Sequence, residues 1–137
     1  MRGKRILIVE DSKLMHRIYE LMLGRFISQG GALHQAHTAR AAIDLLVTGE
    51  PVDLILLDTT LPDMNGIELL RCLRGKGVAA DVPVVIVSTE GQDHQISRGL
   101  QAGAYAYITK PFRPQPLVEL LHKIFMLREA SAVPPHG

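Results

Sequence analysis

The chain has 137 residues, room for one domain with a sizeable core and little more. With 47% apolar and 21% charged residues and a net charge of +1, it lacks the basic excess of a general nucleic-acid or membrane surface. Trp is absent, which argues against a base-stacking platform, and the single Cys72 excludes an internal disulfide or a thiolate zinc site.

Met1-Arg2-Gly3-Lys4-Arg5 begins like a signal peptide, but the apolar run behind it reaches only from Ile6 to Val9 before Glu10 and Asp11. That is too short for a signal core or a membrane span, so a cytoplasmic location is expected. The run itself is rich in β-branched residues and reads as a strand covered on both faces. Ser12 is placed to cap a helix with Leu14, Ile18, Leu21 and Met22 inward. Gly30-Gly31 breaks the chain, and Ala32 to Ala36 reads as a weak edge strand. Thr38 caps a second helix carrying Ala42, Ile43 and Leu46, which Gly49 and Pro51 stop.

Leu54-Ile55-Leu56-Leu57 is the clearest buried strand, ending in Asp58 and a loop that holds Pro62, Asn65 and Gly66. A third helix carries Leu69, Leu70 and Leu73, and its basic end (Arg71, Arg74, Lys76) is expected to be solvated. Pro83 opens the strand Val84 to Val87, followed by Ser88 and a Gly-containing fourth helix through Ile96 and Leu100. Ala104 to Ile108 makes a fifth strand, and Pro114 and Pro116 begin a last helix with Leu117, Leu120, Leu121 and Ile124 inward. One domain over residues 1–128 and a flexible tail over 129–137, with Pro134-Pro135, complete the organisation. Five strands alternating with five helices imply an α/β fold: a doubly wound parallel sheet in the flavodoxin-like order 2-1-3-4-5.

The polar residues fall at matching places. Glu10 and Asp11 follow the first strand, Asp58 the third, Ser88 the fourth and Lys110 the fifth. In an open α/β sheet the ligand crevice lies outside those carboxyl ends, where the strand order reverses. Acids from two strands converging there repel by about 1 to 4 kcal/mol per pair unless one is protonated or a cation binds. Oxygen donors without a nearby His or Cys favour Mg²⁺, with Mn²⁺ as the alternative, and such an ion keeps positions open for phosphate oxygens. Lys110 and the Ser88 hydroxyl would neutralise charge around a carboxylate nucleophile, and Asp58 on the most central strand is the better nucleophile. Acids and Ser at strand ends are also ordinary turn residues. Their recurrence at every matching strand end weighs against that plainer reading.

These residues resemble a response-regulator receiver domain, similar to the single-domain chemotaxis regulators. The resemblance runs from about Arg5 to Leu127 and is carried by Ile6 to Ser12, Asp53 to Asp58, Leu61 to Gly66, Pro83 to Ser88, Ala102-Gly103-Ala104 and Lys110-Pro111-Phe112. It implies Asp58 as phospho-acceptor, and Asp11 and Asp58 as direct Mg²⁺ ligands. Thr60 would add its main-chain carbonyl, and Glu10 would act through a water. Lys110 would bind the phosphoryl group, Ser88 would move toward it, and Tyr107 would swing inward across a face built by the fourth helix, fifth strand and fifth helix. The phosphoryl donor would be a sensor histidine kinase or phosphotransfer protein, and a downstream protein would dock on that face. No nucleic-acid or membrane partner, no output domain and no catalysis beyond self-phosphorylation and dephosphorylation are implied. Glu10 stands where Asp is commoner, and Thr89 narrows access to the acceptor. Ala106 and Gly99 are expected to leave room for Tyr107 to move.

Other readings remain open at this stage. A haloacid-dehalogenase-type phosphatase would want a second Asp where Thr60 stands. A flavodoxin-like nucleotide binder would want a Ser/Thr/Gly-rich loop in place of Glu10-Asp11. A receiver used only for docking would not need the full acid, lysine and hydroxyl set. The six histidines (16, 34, 37, 94, 122, 136) read as surface or packing residues, and Cys72 as a small packing group.

Overall fold

A computed structural model describes residues 3–49 and 51–132. Met1, Arg2, Pro134, Pro135 and His136 therefore lie outside the described residues. The strands are β1 (Arg5–Val9), β2 (Ala32–Ala36), β3 (Leu54–Leu57), β4 (Val84–Ser88) and β5 (Ala106–Thr109). The helices are α1 (Lys13–Met22), α2 (Gly24–Ser28), α3 (Ala39–Thr48), α4 (Gly66–Gly75), α5 (Asp93–Gln101) and α6 (Pro114–Ala132). All strand pairs are parallel and the order is β2-β1-β3-β4-β5, as the alternation of elements implies.

Because side chains alternate along a strand, the three central strands feed two separate cores. Leu7, Val9, Ile55, Leu57, Val84 and Ile86 pack with Ala39 and Ala42 of α3 and Ile67, Leu69, Leu70 and Leu73 of α4. Ile6, Ile8, Leu54, Leu56, Val85 and Val87 pack on the other face with Tyr19, Phe26, Leu117, Leu121, Ile124 and Phe125. Each such Leu or Ile stabilises the fold by roughly 1.5–3 kcal/mol relative to exposure. Burial on both faces is why the strands read as unbroken apolar runs. Among the described residues, no helix is long and apolar enough to cross a membrane.

Local signals held where the cause was local. The Ser12 hydroxyl accepts from the Met15 N–H at 3.2 Å, and Thr38 does the same for Ala41 at 3.0 Å. Other expectations need correction. Six helices form rather than five, because the first helical stretch breaks at Leu23, just before Gly24, and resumes as the short α2. Leu14 and Leu21 are each 69% exposed, while His16 and Tyr19 are buried. The sequence offered two overlapping apolar stripes, and the one through Tyr19 won because its ring stacks on Phe112, with centroids 6.2 Å apart. The last strand, β5, lies at Ala106–Thr109 rather than from Ala104 to Ile108. The helix α6 continues to Ala132, past the expected start of the tail. Arg74 is not a free solvated end: its guanidinium donates to the carbonyls of Ala79 (2.6 Å) and Val82 (2.8 Å), holding the α4–β4 loop.

Candidate functional site at the carboxyl ends of the strands

Strand register builds the crevice. Val9 pairs with Leu57, and the Asp58 N–H donates to the Val9 carbonyl at 3.0 Å, so Glu10 and Asp58 leave the sheet side by side. Ser88 pairs with Thr109, and the Lys110 N–H donates to the Ser88 carbonyl at 2.7 Å, which sends Lys110 over the same end. The Lys110 Nζ stands 2.7 Å from Glu10 Oε1 and 3.6 Å from Asp58 Oδ2. These side chains are only 15%, 4% and 11% exposed, so water screens their charges poorly. One lysine thus faces two carboxylates. Burial pushes the Asp58 carboxyl above its ordinary range, the Glu10 charge adds to the rise, and Lys110 partly offsets both.

Main-chain groups fix the carboxylates. The Ser12 N–H donates to Glu10 Oε2 at 3.0 Å, and the Thr60 N–H to Asp58 Oδ1 at 3.3 Å. Asn65 caps α4 through the Ile67 N–H at 2.8 Å, bringing the helix start against the acceptor strand. Gly66 is required by that approach: a Cβ there would lie 2.1 Å from the Asp58 carbonyl oxygen. Asp11 is exposed and, among the described residues, takes no part in the Glu10–Lys110–Asp58 cluster.

Ser88 is fully buried, yet its hydroxyl is not bonded to Asp58. It shares a hydrogen bond with Thr59 Oγ1 and accepts from the Glu90 N–H at 3.0 Å. Tyr107 is turned in, its phenol donating to the Glu90 carbonyl at 2.5 Å. Gly99 gives close approach rather than slack, since a Cβ there would lie 2.9 Å from the Tyr107 ring.

Three features escaped sequence reasoning. The Asp63 carboxylate accepts from the N–H groups of Ala39 (2.9 Å) and Arg40 (3.0 Å), so the β3–α4 loop caps α3 from 24 residues away. Those two bonds hold Asp63 below its usual range. His16 is 2% exposed, and its Nε2–H donates to the Glu10 carbonyl at 2.7 Å, so that nitrogen carries the proton of the neutral ring. Its Nδ1 has no hydrogen-bond partner among the described residues, and burial lowers its proton affinity. Thr59 is 1% exposed beside Asp58. None of these pairings has a local sequence signature.

The donor set suits a hard divalent cation. Crowded carboxylate oxygens are available, and the His16 Nε2–H is already committed to the Glu10 carbonyl. Among the described residues no three His, Cys, Asp or Glu side chains form a ready cage. An ion that keeps several waters fits such a site better than one demanding full protein coordination. An apolar cavity of about 460 Å³ between α1–α2 and α6, lined by Leu23, Phe26, Val118 and Phe125, contains none of these residues.

A doubly wound sheet with a lysine bridging two acids at its switch point defines a class of α/β domain with a charged crevice at the carboxyl ends of its strands. The model of the response regulator receiver domain matches residues 6–122, and the chain belongs to that family, making it a receiver of two-component signalling. A chemotaxis protein CheY homolog of Campylobacter jejuni is 37% identical over 120 residues, covering 88% of this chain and 91% of the relative. The phosphate regulon transcriptional regulatory protein PhoB of Pseudomonas aeruginosa is 37% identical over 124 residues, but this chain spans only 52% of it. Among solved structures, a CheY-like receiver domain protein from Methanospirillum hungatei superposes with a TM-score of 0.82 at 29% identity. That match covers 94% of this chain and 98% of the other.

Proposed function

We propose that Asp58 accepts a phosphoryl group from a phosphohistidine on a sensor histidine kinase or phosphotransfer protein. A carboxylate oxygen of Asp58 attacks phosphorus and the P–N bond breaks. The imidazole leaves with the bonding electrons and takes up a proton, and an acyl phosphate forms on Asp58. The domain later releases it: water attacks phosphorus, the acyl P–O bond breaks, and carboxylate and inorganic phosphate result. The observation that carries this reading is Lys110 shared between Glu10 and Asp58 at 2.7 and 3.6 Å. A carboxylate whose negative charge is already crowded, with a cation within reach, is prepared for a group that brings more charge.

Asp11, Asp58 and the Thr60 main-chain carbonyl are the groups we assign to Mg²⁺, or alternatively Mn²⁺. Glu10, held by Lys110 and the Ser12 N–H, acts from further back. When bound, that ion supplies positive charge to the phosphoryl oxygens. Lys110 orients the incoming group and then pairs with it, because phosphorylation replaces one negative charge with roughly two. Ser88 turns to the phosphoryl oxygens and thereby fixes Tyr107, already turned in on the Glu90 carbonyl, so that the face made by α5, β5 and α6, on which a downstream protein docks, is held in one arrangement. Residues 1–128 constitute this receiver unit, acting in the cytoplasm without nucleic acid or membrane as partner. Incubation with a radiolabelled histidine kinase tests the reading. Label should pass to the unaltered chain and not to Asp58→Ala, and no transfer to the unaltered chain would overturn it.

A further inference from the structure

Thr59 follows the acceptor position directly, and its side chain is turned into the protein, 1% exposed. Its hydroxyl meets that of Ser88, which is 0% exposed, at 2.5 Å. A hydroxyl has one proton and two lone pairs, and burying one without partners is costly. One of the two hydroxyls donates to the other, so each has a partner, and the Glu90 N–H also donates to Ser88 Oγ. The Glu90 carbonyl in turn receives the Tyr107 phenol. Thr59, Ser88, Glu90 and Tyr107 thus form one hydrogen-bonded chain from the residue beside Asp58 to the α5–β5–α6 face.

We infer that Thr59 is a positioning residue whose buried hydroxyl holds Ser88 in its resting orientation and so sets how readily Ser88 turns to an acyl phosphate. This rests on Asp58 being the acceptor. The sign follows from counting partners. At rest each hydroxyl has the other as its partner. Once Ser88 turns to a phosphoryl oxygen, Thr59 is left buried without its partner, which opposes the turn. Valine at this position removes the resting bond and the later orphan together at nearly constant volume, so both consequences favour the turned state.

The experiment is titration of the apo chain with beryllofluoride, a phosphoryl mimic, at saturating Mg²⁺, followed by the backbone amide resonances of Ser88, Glu90 and Tyr107. Thr59→Val should bind the mimic roughly fivefold more tightly, the equilibrium factor for one ordinary buried hydrogen bond. Thr59→Ser, which keeps the hydroxyl, should restore most of the original midpoint. In a Ser88→Ala background Thr59→Val should cause no further shift. In the unaltered chain the Thr59 methyl resonance should move when the mimic saturates, a measurement that survives even if a variant fails to fold. An unmoved Thr59 methyl, or a folded Thr59→Val chain with unchanged or weaker binding, overturns the role of Thr59 and leaves Asp58 as acceptor intact. An unaltered chain that neither binds the mimic nor takes label on Asp58 overturns both.

Discussion

Asp58 and Asp63 stand five positions apart in one loop, between β3 and α4, and meet opposite fates. Asp58 is largely covered, faces Glu10, and shares one lysine with it, so burial and like charge raise its proton affinity. Asp63 is exposed and receives two main-chain N–H groups from the start of α3, so its proton affinity falls. The same side chain is thus a satisfied helix cap at one position of the loop and a crowded group short of counter-charge at the other. The electrostatics are completed at Asp63 and left incomplete at Asp58.

The comparison breaks first on chemistry. Asp58→Ala should abolish phosphoryl labelling and Asp63→Ala should retain it; equal loss in both would make the loop as a whole, not its crowded acid, the determinant. Next in size is Lys110→Ala. Removing the cation leaves Glu10 and Asp58 facing each other, and should cost on the order of 3 kcal/mol without Mg²⁺, read as a lowered urea midpoint at pH 7. An unchanged midpoint would mean that the crevice is better solvated than its burial indicates.

Two substitutions should then shift stability in opposite directions. Folded Asp58 holds its proton more tightly than the unfolded chain, whose value is near 3.8. Its protonated form stabilises the fold below that value, and this is lost as pH rises through the folded-state pKa. Asp58→Asn should therefore raise the neutral-pH stability of the ion-free protein. The gain should vanish in acid and shrink when Mg²⁺ is saturating, both visible in thermal melts. Asp63 has the reverse sign. Its stabilisation is present above about 3.8 and lost as pH falls through its lower folded-state pKa. Asp63→Ala should lower the neutral-pH melting temperature modestly, with the deficit closing in acid. Shifts of equal sign for the two would refute the contrast.

Much of this was legible in the sequence, and the reasons are local. The apolar runs of β1, β3 and β4 declared strands buried on both faces, and acids, serine and lysine following them declared the end of the sheet that matters. Ser12 and Thr38 act within three residues of themselves, so their caps could be read directly. The face of α1 could not be read so. Two apolar stripes compete there, and only packing against Phe112 decides for Tyr19 over Leu14 and Leu21. Likewise nothing local announces the Thr59 hydroxyl as the resting partner of Ser88.

The sequence by itself determined the alternation of strands and helices, the caps, and the residue types delivered to the carboxyl ends. Each follows from preferences settled within a few residues. Only the tertiary structure decided that Asp63 caps α3 across 24 residues, that Thr59 and Ser88 join across 29, and that Lys110 reaches Glu10 across 100. Those partnerships depend on strand register and helix packing, which close long loops and place side chains that no local preference can bring together.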